Sequence, residues 1–337
     1  MPQFDMVRAR YALNFIEAMK LHGYSSEPIL ETLSLTEEIL LRPDQLIPAH
    51  QLWELVRQIS LQTGLNDLGL EAGQLASVAA HGEFGKMVFA VPTLLQRMKT
   101  FCEQAQAEYS QADFWVETSD AKTLFCRAPI AGDVHQLRGT ELYVLAMMIE
   151  TVGASNGKDA VFNSIELQTH YGEELDQYLR TISTRRLFGQ VNTCLEVSKH
   201  TLARSIDTSF QLPGSLTPSA GGQLAHIDEF SSLRTLIDEQ SDLHHFSIED
   251  AAQMFGVHVR KLQRHLSVNA TSFREIKNDV VCARASKFLR DTNISIADIA
   301  TNLGYTSPNN FSRAYRKWYG ITPIAYRTIT QQTNVTP

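Results

Sequence analysis

Residues 295–315 read Ser295-Ile-Ala-Asp-Ile-Ala-Thr-Asn-Leu-Gly304-Tyr-Thr-Ser-Pro308-Asn-Asn-Phe-Ser-Arg313-Ala-Tyr315, and they decide the fold of the C-terminal part of the chain. A related pattern runs from Ser247 to Leu266, with its serine and its glycine each 48 residues earlier. Each copy predicts a short helix that begins at a serine, a turn at a glycine, and a second helix. Two such helix-turn-helix units in tandem are typical of proteins that bind duplex DNA in more than one groove.

The two copies differ where the second helix begins. In the later copy, Thr306 or Ser307 can cap that helix, and Pro308 suits its first turn because a missing N–H there leaves no hydrogen bond unmade. The earlier copy has His258 at the cap position. We therefore expect its second helix to begin more loosely.

A single long helix is predicted between the two copies. Residues 272–290 carry apolar side chains on one face, and Ser272 with Glu275 is predicted to form a capping box at the start. At about 1.5 Å per residue such a helix is about 27 Å long. It would hold the two reading helices at roughly the 34 Å separation of successive major grooves.

The C-terminal part is basic although the whole chain is acidic. From residue 244 onward there are 12 Lys and Arg against 6 Asp and Glu, whereas the net charge of all 337 residues is −7. Contacts to DNA phosphates require such a basic surface. Because the charge coincides with the repeat, it indicates DNA binding rather than an ordinary solvated face.

The second copy and the residues after it closely resemble the C-terminal signature of AraC/XylS-type transcription regulators. The matching residues are Gly304-Tyr305, Phe311-Ser-Arg-Ala-Tyr-Arg-Lys317 and Gly320-Ile-Thr-Pro-Ile-Ala-Tyr-Arg327. The first copy, with Leu262-Gln-Arg264 and Ser272-Phe273, is similar to the other helix-turn-helix of that family. The resemblance implies two reading helices held in successive major grooves by the helix between them.

Two residues depart from the family pattern. Asn269 stands where the family often has glycine, and we expect it to take the left-handed conformation, which Asn tolerates better than most residues. His258 replaces the usual serine cap, which predicts that the first reading helix is the less rigid one.

Exposed positions on the second helix of each unit are predicted to contact base edges. By resemblance these residues are Arg260, Gln263, Arg264, Asn309, Asn310 and Arg313. Arginine can pair with guanine, and Gln or Asn with adenine, in the major groove. Phosphate contacts are predicted for Lys261, Arg274, Thr306, Arg316 and Lys317. The alternative for each base-contact residue is a phosphate contact or the capping of a neighbouring helix.

Length and composition are those of a globular protein of two or three domains. No apolar run approaches the roughly 18 residues of a membrane span, and the start of the chain lacks a signal peptide, so we expect a cytoplasmic protein without membrane contact. The four cysteines, Cys102, Cys126, Cys194 and Cys282, are predicted to be buried free thiols. A redox-sensing pair is the alternative.

The chain is predicted to divide into three parts. Residues 1–210 would form an effector-binding or dimerisation domain, and residues 227–330 the DNA-binding domain. Residues 211–226 would be the linker, because Pro-Gly-Ser-Leu-Thr-Pro-Ser-Ala-Gly-Gly lies at their centre.

The first domain is predicted to be α+β, with helices and a small β-sheet, and the second to be all-α with two tandem helix-turn-helix motifs. Helices are predicted at residues 7–20, 27–32, 48–63, 85–91, 93–107, 134–153 and 173–181, with a short one from residue 199. Strands are predicted at residues 113–118, 122–129, 160–170 and 194–197, the first two forming a hairpin.

The first domain also resembles the arabinose-binding-like effector domain of one AraC subgroup. The similar residues are Leu68-Gly-Leu-Glu-Ala-Gly73, Gly82-Glu-Phe-Gly85, Glu166-Leu-Gln-Thr-His-Tyr171 and Phe188-Gly189. This resemblance implies sensing or dimerisation, and it does not imply that arabinose is the ligand. The predicted element order does not fit the jelly-roll barrel of the founding sugar sensor, so that fold is not expected.

No catalytic residue, metal site or cofactor site is predicted. Three pairs of an acidic residue with a histidine are present: His81 with Glu83, Asp133 with His135, and Glu166 with His170. Their spacing does not position a nucleophile and a base, so we interpret them as capping or surface residues. Met147-Met148 could line a ligand pocket, but core packing is the preferred interpretation. The sequence identifies no effector-binding residue.

Taken together, these features predict a sequence-specific DNA-binding transcription regulator that acts on promoter DNA. The resemblance implies activation through RNA polymerase, controlled by a small-molecule effector, by homodimer formation, or by both. An effector can exert such control only if it prefers one state of the protein. The alternatives are a constitutive DNA-binding regulator whose N-terminal domain only dimerises, and a DNA-modifying enzyme fused to a helix-turn-helix module.

Overall fold

The computed structural model describes residues 5–33, 42–129, 134–153, 162–203, 229–238, 240, 243 and 245–333. Packing separates the chain into two units, residues 5–227 and residues 228–337. The predicted linker, residues 211–226, lies outside the described residues. None of the helices in the described ranges combines the length and hydrophobicity that a membrane crossing needs.

The N-terminal unit combines helices with β-sheet, which confirms the predicted α+β fold. Its helices are α1 (Arg10–Leu21), α2 (Glu27–Leu33), α3 (Ala49–Thr63), α4 (Leu68–Leu75), α5 (Gly82–Phe89), α6 (Leu94–Gln104), α7 (Val134–Thr151), α8 (Glu173–Arg180) and α9 (Lys199–Ala203). Its strands are β1 (Met6–Arg8), β2 (Leu46–Pro48), β3 (Phe114–Thr118), β4 (Thr123–Arg127), β5 (Phe162–Glu166), β6 (Ser183–Leu187) and β7 (Thr193–Val197).

The larger sheet has the strand order β3-β4-β7-β5-β6. Its neighbours are antiparallel except β5 and β6, which run parallel and are connected through α8. The predicted hairpin is confirmed as β3 and β4. Phe125, Leu195 and Ile165 lie side by side on three neighbouring strands and are fully buried, so one face of the sheet carries the core.

Several elements of this unit were not predicted. The strands β1 and β2 pair with each other and have three residues each, which is too short to show a period in the sequence. As a result, the helix predicted from residue 7 begins at Arg10 instead. Strand β6 lies at the edge of the larger sheet, where exposed polar residues such as Thr184 and Arg185 hide the alternation of a buried strand.

The helix α4 packs on α7 with glycines at the contact. A Cβ atom at Gly69 would overlap the backbone oxygen of Gly139, and one at Gly73 would lie 2.6 Å from the Cβ of Ala146. Only glycine permits so close a backbone approach. This contact gives a structural reason for the Leu68–Gly73 motif.

The C-terminal unit is helical throughout the described residues. Its helices are α10 (Glu229–Asp238), α11 (Ile248–Met254), α12 (Val259–Val268), α13 (Phe273–Asp291), α14 (Ile296–Asn302), α15 (Pro308–Tyr319) and α16 (Pro323–Thr333). The pairs α11–α12 and α14–α15 are the two predicted helix-turn-helix units, and α13 is the predicted helix between them. With 19 residues, α13 is about 28 Å long.

Hydrogen bonds fix α13 against its neighbours. The hydroxyl of Ser286 on α13 is buried and lies 3.2 Å from the Tyr315 hydroxyl and 2.9 Å from the Tyr319 hydroxyl on α15. On the other side, Arg284 donates to a carboxylate oxygen of Asp238 on α10 at 2.8 Å. The orientation of α15 therefore depends on α13 as well as on its own unit.

Candidate nucleic-acid interface

The first helix of each unit begins as the sequence predicts. The Ser247 hydroxyl accepts the Asp250 N–H at 3.1 Å, and the Asp250 carboxylate accepts the Ser247 N–H at 2.8 Å, which completes a capping box. The Ser295 hydroxyl caps α14, because it accepts the Asp298 N–H at 3.0 Å. The turns that follow contain Gly256 at φ 64° and Gly304 at φ 78°, a conformation that favours glycine.

The second helices differ in their caps, as predicted. The Ser307 hydroxyl accepts the Asn310 N–H at 3.2 Å, and Pro308 occupies the first turn of α15. At the same place in the first unit, His258 has an extended backbone but its side chain makes no capping hydrogen bond. The first turn of α12 therefore has one hydrogen-bonded N–H group fewer than the first turn of α15.

The prediction of a left-handed Asn269 is wrong. Its φ is −92°, and the left-handed residue is the next one, Ala270, at φ 55°. The Asn269 amide donates to the backbone oxygen of His265 at 3.0 Å. This bond stabilises the last turn of α12 with Asn269 close to helical backbone, so the reversal of the chain falls one residue later.

The base-contact residues predicted on α12 share one exposed face. Arg260, Gln263 and Arg264 are spaced three and four residues apart, which places them together on a helix, and all three are exposed. Leu262 and Leu266 on the opposite face are buried. The helix thus packs through its leucines and presents three hydrogen-bonding side chains to solvent.

The base-contact residues predicted on α15 are arranged in the same way. Asn309, Asn310 and Arg313 are exposed on one face of the helix, and Phe311 and Tyr315 on the other face are fully buried. Aromatic contacts between Phe311 and Tyr315 anchor the buried face. The exposed face is therefore free of any role in the core.

The predicted phosphate-contact residues are also exposed. They are Lys261, Arg274, Thr306, Arg316 and Lys317. The Thr306 hydroxyl accepts a hydrogen bond from the Asn310 side-chain amide at 3.0 Å. This bond orients the Asn310 amide at the start of α15 and links a predicted phosphate contact to a predicted base contact.

Most other basic residues of this unit have intramolecular partners. Lys277 donates to the Phe246 backbone oxygen, Arg284 to Asp238, Arg290 to Asp291, and Arg327 to the Ile294 backbone oxygen. Lys287, which is exposed, was not among the predicted contacts. The predicted Arg and Lys contacts, by contrast, form no ion pair with another described residue, so their charges are available to a partner.

Comparison with known families decides the identity of the chain. The family described as the arabinose-binding domain of AraC transcription regulators matches residues 23–206, which is more than half of the chain. A helix-turn-helix domain family matches residues 251–329. The chain belongs to the AraC family of transcription regulators.

Individual relatives of this AraC-family chain are distant. An ornithine utilization regulator of Pseudomonas aeruginosa is 24% identical, and the match covers 96% of each protein. An uncharacterised HTH-type transcriptional regulator of Mycobacterium tuberculosis is 35% identical over 77 residues, which are 23% of this chain and only 22% of that relative's length. The crystal structure of the regulator CdpR from Pseudomonas aeruginosa is 18% identical, with a TM-score of 0.38 over 90% of this chain and 96% of that one.

Two acidic–histidine pairs of the AraC-type N-terminal unit can be located. The interpretation of His81 as a capping or surface residue is wrong: it is 4% exposed, its side chain makes no capping hydrogen bond, and it packs edge-on against Tyr11. Glu83 pairs with Lys86 instead. Burial lowers the pKa of His81 to about 3, with a smaller contribution from the positive charge of Arg10, so its imidazole is neutral at physiological pH. His170 is exposed, and Asp133 lies outside the described residues.

The prediction of four free thiols is wrong for one pair. Cys126 on β4 and Cys194 on β7 are joined by a disulfide. They are 68 residues apart in sequence, but they face each other directly in the antiparallel ladder, with their Cα atoms 4.2 Å apart. Cys102 and Cys282 are free, and burial raises the pKa of Cys102 to about 12 and also that of Cys282. Neither is a thiolate at neutral pH.

The missing cap of α12 leads to a stability prediction. His258→Ser should stabilise the start of α12 by about 0.5–1 kcal/mol, because a serine hydroxyl can accept an N–H of the first turn. Hydrogen exchange measured by mass spectrometry on the full chain should show slower exchange for the first turn of α12.

The matched control removes the cap of the other reading helix. Ser307→Ala should speed exchange at the start of α15 by a comparable factor, since its hydroxyl accepts the Asn310 N–H. Unchanged exchange in both variants would show that side-chain caps do not set the stability of these helix starts.

Proposed function

We propose that this AraC-family chain is a sequence-specific transcription regulator that binds promoter DNA with α12 and α15 in successive major grooves. The observation that carries the proposal is the exposure of hydrogen-bonding faces on both helices, each directly opposite a buried apolar face. The proposed domains are residues 1–210 for control and residues 227–330 for DNA binding, with a linker at 211–226.

The proposed contacts follow the two exposed faces. Base contacts are assigned to Arg260, Gln263, Arg264, Asn309, Asn310 and Arg313. Phosphate contacts are assigned to Lys261, Arg274, Thr306, Arg316 and Lys317. The support for this assignment is that Arg, Asn and Gln match the donor and acceptor pattern of purines in the major groove.

We also propose that the N-terminal unit controls DNA binding, by an effector, by homodimer formation, or by both, and that the bound protein activates transcription through RNA polymerase. The match of residues 23–206 to an arabinose-binding domain family supports a sensing role. The activating role rests on the family resemblance. Control of either kind requires that the effector or the second subunit binds one state of the protein better than another.

Selection of binding sites from random duplexes by the full chain tests the proposal. The expected product is a site of two unlike half-sites, with centres about 10 base pairs apart, because the reading helices differ in sequence and face successive grooves. Footprinting of the Gln263→Ala variant should show relaxed preference in one half-site only. The proposed function would be contradicted if no consensus sequence is selected. It would also be contradicted if a single half-site is selected and Gln263→Ala leaves that preference unchanged.

A further inference from the structure

The N-terminal unit contains a cavity of about 70 Å³ beside the larger sheet. A single water needs only about 10–15 Å³, so the space suits a small organic molecule. Its walls are mostly apolar and include the aromatic rings of Trp53, Phe101, Phe114 and Tyr143. Met147 also lines it, so one residue of the Met147-Met148 pair faces a cavity, whereas Met148 is fully buried.

Arg127 lines this cavity and forms no ion pair with any residue in the described part of the chain. It lies on β4 on the same face as the buried Phe125, because alternate residues of a strand share a face. The side chain is 5% exposed, and its Nη1 atom has no hydrogen-bond partner among the described residues. The guanidinium lies 5.6 Å from the centre of the Phe114 ring. Burial lowers the pKa of Arg127 to about 10, so the group is still cationic at neutral pH.

The carboxylate of Glu108 also lines the cavity, but other groups hold it. Its oxygens lie 3.8 Å from Nε of Arg8 and 3.7 Å from Nε of Arg10, and one of them accepts the Tyr11 hydroxyl at 3.3 Å. Two cations therefore already neutralise Glu108. It is not available to balance Arg127.

The buried carboxylate that attracts Arg127 is that of Glu141, and it is also occupied. It accepts the backbone N–H groups of Gln168 at 2.7 Å and Thr169 at 2.8 Å, as well as the Thr193 hydroxyl. These bonds tie Glu141 to the segment after β5 and to the start of β7. A buried charge is normally paired and hydrogen-bonded. Because both carboxylates are already bonded to other groups, the Arg127 guanidinium lacks a close anion among the described residues.

We propose that the cavity binds a small, mostly apolar monocarboxylic acid, whose carboxylate pairs with Arg127 and whose hydrocarbon part packs on the aromatic wall. The acid would be the effector, so this inference rests on the proposed function and deepens it. A sugar fits the site poorly, because most of its hydroxyls would face apolar side chains and would leave their hydrogen bonds unmade. A free amino acid fits less well too, because both nearby carboxylates that could accept its ammonium group are already bonded.

The same unit offers a matched control in Arg97. This arginine is 6% exposed, its Nε atom also lacks a hydrogen-bond partner within the described part of the chain, and it lies 4.5 Å from the centre of the Phe89 ring. It does not line the cavity. Arg97 therefore shares the burial and the ring contact of Arg127 but not its position.

The test is calorimetric titration of the full chain with phenylacetate, hydrocinnamate, hexanoate and isovalerate, each beside its neutral amide. At least one acid should bind, and its amide should bind about 10-fold more weakly or worse, because the amide cannot form the charged pair. Arg127→Met should abolish this preference without lowering Tm in the absence of ligand. Arg97→Met should retain the preference.

Several outcomes would overturn the inference. They are no binding by any of the acids, equal binding of acid and amide, or loss of the preference in Arg97→Met as well. If Arg127→Met fails to fold, the comparison of acid with amide on the unsubstituted chain still tests whether the site recognises a carboxylate. Val144→Phe then tests whether the ligand binds in this cavity. Val144 also lines the cavity, so that variant narrows it, keeps Arg127, and should weaken binding of acid and amide alike.

Binding to the selected DNA site, measured on the same preparations, separates this inference from the proposed function. A chain that binds the DNA but none of the acids refutes the ligand class and leaves DNA recognition standing. A chain that binds an acid but selects no DNA sequence refutes the proposed function and leaves the carboxylate site.

Discussion

Arg313→Ala is expected to weaken binding to the selected DNA site by about 1–3 kcal/mol, or about 5- to 150-fold in Kd. The reason is the loss of a side chain that can donate two hydrogen bonds to a guanine edge. Arg313 is exposed on α15, opposite the buried Phe311 and Tyr315, so its truncation should leave the helix folded. Fluorescence anisotropy on the selected site, and on sites altered in each half, measures the effect. The loss should be largest on the unaltered site, with base preference relaxed in one half.

Lys317→Ala is the matched control, one helical turn further along α15. As a phosphate contact, it should weaken all duplexes by a similar factor and reduce the salt dependence of log K by about one unit of slope. If the two variants lose affinity equally on selected and random DNA, the division into base and phosphate contacts is wrong. If neither loses affinity, α15 does not read the DNA.

The DNA-binding unit could be predicted well because its signals are local. A serine cap, a glycine at the turn and a proline in the first helical turn each act within a few residues, and the structure has them at Ser295, Gly304 and Pro308. The predicted capping box of α13 is only half formed. The Ser272 hydroxyl accepts the Glu275 N–H at 3.2 Å, but the Glu275 carboxylate bonds hydroxyl groups, including that of Ser272 at 3.1 Å.

The N-terminal unit was harder to predict because its decisive contacts join distant residues. The register that places Cys126 opposite Cys194 depends on the pairing of β4 with β7, which no spacing in the sequence reveals. The three-residue strands β1 and β2 likewise exist because they pair with each other, and neither shows a strand pattern of its own in the sequence.

A signal for the cavity was nevertheless present in the sequence. In Thr123-Leu-Phe-Cys-Arg127, the alternation of a strand puts Arg127 on the same face as Phe125. A cation on the apolar face of a strand is unusual, because burying a charge without a partner is unfavourable. The partner it lacks became apparent only when the structure showed that Glu108 and Glu141 are already bonded to other groups.

Gly69→Ala is expected to destabilise the N-terminal unit by about 3 kcal/mol, although alanine is the better helix former. The added Cβ would overlap the backbone oxygen of Gly139, so α4 and α7 would have to separate. The helix α7 carries Tyr143 and Met147 on the cavity wall, so separation should also weaken ligand binding. Urea denaturation followed by tryptophan fluorescence measures the change, since Trp53 lies in this unit.

The control is Gln74→Ala on the same helix. Gln74 is exposed, so this substitution tests the helix propensity of α4 without touching α7 and should change stability by less than about 0.5 kcal/mol. Propensity alone predicts that Gly69→Ala is the more stabilising of the two, whereas the backbone contact predicts the opposite order. A Gly69→Ala chain that unfolds at the same or a higher urea concentration than the unsubstituted chain would show that the two helices do not meet at Gly69.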